Sequence, residues 1–233
     1  MHKIPFRNRA HEVSRLEAFS DVVFGFAISL LVVSLEAPKS YEQLMETMRG
    51  MAPFALCFFA FIDIWFKHHH FFRRYALHDT PTIVLNTFLL FVILWYVYPM
   101  RFMLTLAAQV FINGQAARME VLQARTLFTI YGLGFAAVFW LLGGMYAHAY
   151  RRRRDLSLNA VEEIDTLESV YDNFITGAVG LLSALLAWTP LIALSGVTYF
   201  LLAVTKTLVG WLMGVKRQKV EAAMLATVTN DQT

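Results

Sequence analysis

Residues 15–35 read RLEAFSDVVFGFAISLLVVSL, and the fold turns on whether this stretch crosses a membrane. Its uninterrupted apolar part, 22–35, lies between Asp21 and Glu36 and has 14 residues. At about 1.5 Å per residue, that is too short for a hydrocarbon core about 30 Å thick. Extended back through Asp21, Ser20, Phe19 and Ala18 to Arg15, the helix becomes long enough, but its polar end must then be shielded from lipid. Phe26, Leu30 and Val33 fall at i, i+4 and i+7, on one helical stripe. Gly25, Ala27, Ser29 and Ser34 are small or polar, the residue types that let helices pack closely on all sides in a bilayer. Two readings stay open on these residues alone. The helix is either an internal packing element or the lining of a pore closed by apolar rings, where dewetting opposes ion passage.

The rest of the chain favours a membrane setting. Of its 233 residues 58% are hydrophobic and 16% charged, whereas a soluble domain is about 45–50% apolar and about a quarter charged. The mean hydropathy is +0.52, and 20 Phe and 5 Trp add a heavy aromatic load. A soluble enzyme and a disordered chain are both disfavoured, and a polytopic membrane protein is expected. The single cysteine, Cys57, excludes an intrachain disulfide and any CxxC metal site. The N-terminal stretch mixes acids and bases without a small-residue cleavage site, so no removable signal is expected.

Five further apolar stretches follow: 50–66, interrupted by Asp63; 81–99, continued past Arg101 by an amphipathic FMLTLAAQVF; 126–150; 174–194; and 197–215, with Lys206 near its middle. Together with the first they predict an all-α protein of six transmembrane helices, divided into a channel-sized domain over 1–220 and a C-terminal tail over 221–233. A turn is expected at Ser195-Gly196, and 151–170 reads as a helical linker outside the membrane. With the N-terminus inside, 14 of the 20 Lys and Arg lie on the inner side, five lie outside and Lys206 lies within a span. The positive-inside rule therefore puts both termini in the cytoplasm of a multi-pass protein of the cell membrane. The net charge of +3 reports orientation, and nucleic acid is not an expected partner.

The stretch RLEAFSDVVFGFAISLLVVSLEAP resembles the opening of the transmembrane protein 175 potassium-channel family, whose hallmark is Arg-x-x-x-Phe-Ser-Asp before an apolar first helix. Arg15, Phe19, Ser20 and Asp21 complete that hallmark. The likeness continues in WFKHHHFF, where the family's Trp-x-x-His falls on Trp65 and His68, and in the third stretch, where Asn86 sits like the family's buried Asn. It covers about the first 100 residues.

The resemblance implies a potassium-permeable channel built from six-helix repeats, with the first helices around a central pore. One repeat per chain implies a homotetramer, as in prokaryotic members. It implies an apolar constriction in place of a carbonyl filter, mapping to Phe26, Leu30 and Val33, with Ser29 and Ser34 as nearby hydroxyls. Family members commonly carry Ile or Leu where this chain has Phe26, a bulkier side chain. Arg15, Phe19, Ser20, Asp21, Trp65, His68 and Asn86 are expected to form one buried polar network. Monovalent cations and the lipid bilayer are the expected partners, K⁺ the permeant ion, with no cofactor and no metal.

Other features carry less. Consecutive residues on a helix project about 100° apart, so His68, His69 and His70 cannot all chelate one ion. Arg151 to Arg154 form a block at the end of a span rather than within one, a topology signal and not a voltage sensor. Asp63 and Lys206 are the deepest ionisable residues of the later spans; they either pair or snorkel to the nearer interface. The competing function is a proton- or cation-coupled secondary transporter using intramembrane Asp and His, although the internal symmetry usual in such proteins is not evident.

Overall fold

A computed structural model describes residues 4–33, 39–49, 51–113 and 119–230. The regular elements among these residues are all helical: α1 Arg15–Val33, α2 Tyr41–Arg49, α3 Met51–Tyr75, α4 Thr80–Asn113, α5 Val121–Arg151, α6 Ala160–Leu186, α7 Leu194–Val197, a 3₁₀ turn at Thr198–Phe200, and α8 Leu201–Asn230. Five helices (α3 to α6, and residues 193–224) are long and apolar enough to cross a membrane. α1 is the sixth long element of the bundle. Its 19 residues include Arg15, Glu17 and Asp21, and at 1.5 Å per residue it reaches about 28 Å.

Ser14 opens α1, its hydroxyl accepting from the Glu17 amide at 3.1 Å. α1 then buries one stripe, Glu17, Ser20, Phe24, Ala27 and Leu31, each at most 1% exposed, against α3 and α4. Phe61, Ile64, Phe71 and Phe72 of α3 and Leu89, Ile93, Tyr96 and Val97 of α4 complete this part of the core. α5 closes it with Val138, Leu142 and Met145. α6 lies along α5, and α8 rests on α6.

The α5–α6 seam is made by small residues. A Cβ on Gly132 would stand 2.5 Å from the Gly180 carbonyl oxygen, and one on Gly180 would stand 2.8 Å from that of Gly132. Backbone this close leaves no room for side chains, the arrangement by which helices associate in lipid without a hydrophobic drive between them. Gly180→Leu should therefore cost about 3 kcal/mol, read as a large fall in the thermal unfolding midpoint in detergent. Gly214→Ala, where an added Cβ meets nothing within 4 Å, should leave that midpoint in place.

The third span continues past Pro99 and Arg101 as the sequence reads: α4 runs unbroken from Thr80 to Asn113. Several boundaries differ from the sequence expectation. The expected linker over 151–170 is only a tight turn at 152–158, after which α6 begins at Ala160. Asn159 and Glu162 form a capping box there: Asn159 Oδ1 accepts from the Glu162 amide at 2.9 Å and Glu162 Oε2 from the Asn159 amide at 3.0 Å. The fifth span ends at Leu186 rather than 194. The turn lies at 187–193 around Pro190, whose missing N–H cannot continue a helix, while Ser195 and Gly196 belong to α7. α8 continues through residue 220 without a break, and Glu221 is buried.

Basic residues gather at one end of the bundle, where residues 4–13 run over the helix ends. The Arg9 and Ala10 amides donate to the Arg73 carbonyl, and Phe6 meets Tyr75 edge to face. The Arg7 and Arg9 guanidiniums converge on the fully buried Glu162 at 3.0 and 2.8 Å. Arg217 donates to Asp165 at 2.9 Å, to Glu221 at 3.0 Å and to the Ile4 carbonyl at 2.7 Å. The arginine block is also engaged: Arg152 bridges Asp79 and Asp155, and Arg153 faces Glu163. Burial alone would raise the Asp79 carboxyl, but bonds from Thr82, His148 and Arg152 outweigh it and hold that carboxyl well below the usual range.

Candidate functional site: the first helix and its braces

α1 has two faces of different fate. The buried stripe is held by polar contacts at its basic end. Ser20 Oγ donates back to the Leu16 carbonyl at 2.8 Å and accepts from Asn86 Nδ2 at 2.9 Å. Asn86 Oδ1 lies 2.8 Å from His68 Nε2. All three residues are fully buried, so each hydrogen bond replaces water that cannot reach it. The bond to Asn86 Oδ1 requires the proton on His68 Nε2, and the ring packs against Phe24 and Phe72.

A second contact stands beside this triad. Trp65 Nε1 donates to Asp21 Oδ1 at 2.8 Å, and the Trp65 ring stacks on His69 at 5.4 Å. The contacts therefore do not form one network containing every expected member. Ser20, Asn86 and His68 are linked, and Asp21 and Trp65 form a separate pair at the edge. Arg15 and Phe19 turn the other way and are exposed. The physical reason is angular. Ser20 and Glu17 are three residues apart and share the buried stripe, whereas Arg15 and Phe19, four apart, lie on the opposite face.

Beyond Arg15 that opposite face is apolar and, among the described residues, uncovered. Phe19 is 61%, Val22 70% and Phe26 57% exposed. Leu30 sits at its margin, partly packed on the core. Ser29 is exposed and its Oγ donates to the Gly25 carbonyl at 2.9 Å, leaving its lone pairs outward. The side chain of Val33, and Ser34 altogether, lie outside the described residues.

Three features were not anticipated. Glu17 is buried in the first turn of α1, with His69 Nδ1 at 3.4 Å and Arg73 Nε at 3.6 Å. Its spacing to Ser20, Phe24, Ala27 and Leu31 is the signal that could have found it. Arg101 reaches the other end of α1, donating to the Leu31 carbonyl at 3.2 Å. Asp172 takes both Lys67, at 2.9 Å, and Lys206, at 3.3 Å. Lys206 thus pairs with Asp172 and not with Asp63, which is exposed on α3. The three histidines diverge as expected: His68 to Asn86, His69 to Trp65 and Glu17, and His70 edge-on to Phe66.

An all-helical bundle with five apolar spans and a short, polar-ended helix braced on one side only defines a polytopic membrane protein. Residues 15–96 match the family described as endosomal/lysosomal potassium channel TMEM175. A potassium channel of Marivirga tractuosa is 38% identical over 211 residues, covering 84% of this chain and 85% of that one. A potassium channel of Chamaesiphon minutus is 27% identical over 169 residues, covering 69% of this chain and 77% of its own. A crystal structure of a variant of the potassium channel MtTMEM175, in complex with a nanobody–MBP fusion protein, superposes with a TM-score of 0.81. It is 35% identical, and the match covers 91% of this chain and 99% of that one. A TMEM175 homologue from Chamaesiphon minutus shares the fold at a TM-score of 0.57 and 21% identity, over 86% of this chain and 99% of its own. The chain belongs to the TMEM175 family, whose members are ion channels and not enzymes.

Proposed function

We propose that this protein is a potassium-permeable channel of the cell membrane, assembled as a homotetramer with the Phe19–Val22–Phe26 face of α1 turned to a central pore. One observation carries the reading: α1 buries one face completely, yet leaves an aromatic and aliphatic stripe uncovered on the other. α1 also bears three charges within its first seven residues. A helix so charged is poorly suited to face lipid, and an apolar stripe beside it is suited to a ring of identical helices around an axis. Permeating ions crossing that ring lose water without a charged replacement, so the ring sets the barrier and K⁺, less strongly hydrated than Na⁺, passes more readily. The named activities of the relatives agree with this assignment.

The basic end, where Arg7, Arg9 and Arg217 make their ion pairs, is assigned to the cytoplasm by the positive-inside rule. Purified full-length protein in liposomes should pass K⁺ down its gradient, pass Na⁺ more slowly and show no coupled proton movement. Flux that requires a proton gradient would replace this reading with a transporter. Cross-linking that traps dimers and nothing larger would overturn the tetramer.

A further inference from the structure

A carboxylate stands exposed at the middle of a span. Asp63 is the central residue of the 25-residue α3, and the lysines of the spans are engaged elsewhere, since Lys67 and Lys206 both pair with Asp172. An acidic side chain at that depth is costly against lipid and belongs against protein or water. Its face of α3 is a narrow stripe: Phe59, Asp63 and Phe66 are exposed at intervals of four and three residues, while Phe61, Ile64 and His68 are buried. α4 repeats the pattern. Phe91, Trp95 and Tyr98 are exposed at the same intervals, while Leu90, Ile93 and Val97 are buried. Alternating fours and threes make the seam by which one helix packs along another. Among the described residues, Trp65, Trp140 and Trp188 each give their indole N–H to an acceptor in the chain. Trp95 is 51% exposed and lies near the middle of the 27-residue span Thr80–Leu106, away from the interfacial belt where an uncovered Trp is ordinary.

We propose that these two stripes meet between neighbouring subunits, where Asp63 of one copy accepts a hydrogen bond from the Trp95 indole N–H of the next. The proposal rests on the ring of four with α1 at its axis. α1 packs on both α3 and α4, so these helices form its two flanks, and rotation about the axis brings the α3 flank of one copy to the α4 flank of the next. The heights allow the contact. The His68–Asn86 bond sets α3 and α4 level at that point. Asp63 lies five residues outward along α3, about 7.5 Å, and Trp95 nine residues outward along α4, about 13.5 Å. Side chains lean toward the N-terminus of their own helix. α3 and α4 run in opposite directions, so Asp63 leans away from the basic end and Trp95 leans back toward it, which closes the offset of about 6 Å. The same pairing of groups occurs within the chain, where Trp65 Nε1 donates to Asp21.

The test is the assembly of full-length protein in detergent, followed by the concentration at which half of it dissociates. Asp63→Leu and Trp95→Phe should each raise that concentration about fivefold or more, because the lost hydrogen bond recurs at every interface of the ring. The two changes combined should do little more than either alone, and Asp63→Asn, which keeps an acceptor oxygen, should assemble like the parent. In liposomes, Asp63→Cys combined with Phe91→Cys, level with each other, should give a ladder of disulfide-linked dimers, trimers and tetramers. Each single variant, which carries the buried Cys57 as the parent does, should stay monomeric on the same denaturing gel. Parental assembly of both Asp63→Leu and Trp95→Phe would overturn the proposal. A change in conductance without one in assembly would place Asp63 at the pore, and a more stable Asp63→Leu tetramer would place it in lipid; either result overturns it as well. If amine cross-linking shows the parent as a tetramer while these variants assemble normally, only this proposal fails; if the parent forms no tetramer, the ring itself fails.

Discussion

Phe26→Ala should raise K⁺ flux through the reconstituted protein about tenfold or more and lower its preference for K⁺ over Na⁺. The reason is the position of the ring. Phe26 is 57% exposed within the chain and has the largest side chain on the stripe that includes Leu30 and Val33. Four such side chains around an axis would close the narrowest apolar ring, and lowering that barrier by about 1.4 kcal/mol is a tenfold change in rate. Leu30→Asn should act in the same direction by wetting the next turn. Leu30 also packs partly on the core, so this variant should lose some thermal stability, whereas Phe26→Ala should lose little within the subunit. Flux assays with K⁺ and Na⁺ gradients, paired with melting curves in detergent, separate the two contributions. Unchanged flux and selectivity in both variants, with lowered stability, would place the pore elsewhere and make the stripe a packing surface.

Asn86→Leu should destabilise the protein by about 2–4 kcal/mol, because it strands two buried polar groups at once. Asn86 bridges Ser20 on α1 and His68 on α3 at 2.9 and 2.8 Å. Its Oδ1 accepts from His68 Nε2, and His68 Nδ1 already lacks a partner among the described residues. Leucine fills the space but offers neither donor nor acceptor, so His68 would remain buried and unpaired. The effect should appear as a lower unfolding midpoint and less of the proposed tetramer on size exclusion, before any change in ion preference. Asp21, half-buried and bonded among the described residues to Trp65, should matter less when replaced by Ala. An Asn86→Leu protein with parental stability and lost selectivity would move the triad from bracing to permeation.

The family itself was legible in the first 100 residues, because the hallmark around Arg15 to Asp21 and the accessory Trp65, His68 and Asn86 are local in sequence. The all-helical class and the five apolar spans after the first helix were equally plain, since apolar length and charge flanks are properties of single segments; the first of the six expected spans is α1, which is not among the five helices long and apolar enough to cross a membrane. The α6 start at Ala160 was missed, although Asn159 and Glu162 stand at the spacing of a capping box. Tertiary structure decided which hallmark residues meet. A sequence puts Arg15, Phe19, Ser20 and Asp21 together; the helix sends Arg15 and Phe19 to one side and Ser20 to the other, and only packing against α3 and α4 shows which side is buried. The partners of Lys206, Arg101 and Glu162 were likewise invisible. Asp172, Leu31 and the Arg7–Arg9 pair lie 34, 70 and more than 150 residues away from them. Periodicity fixes the face a residue occupies on its own helix, but charge pairing across helices depends on how those helices cross and at what depth.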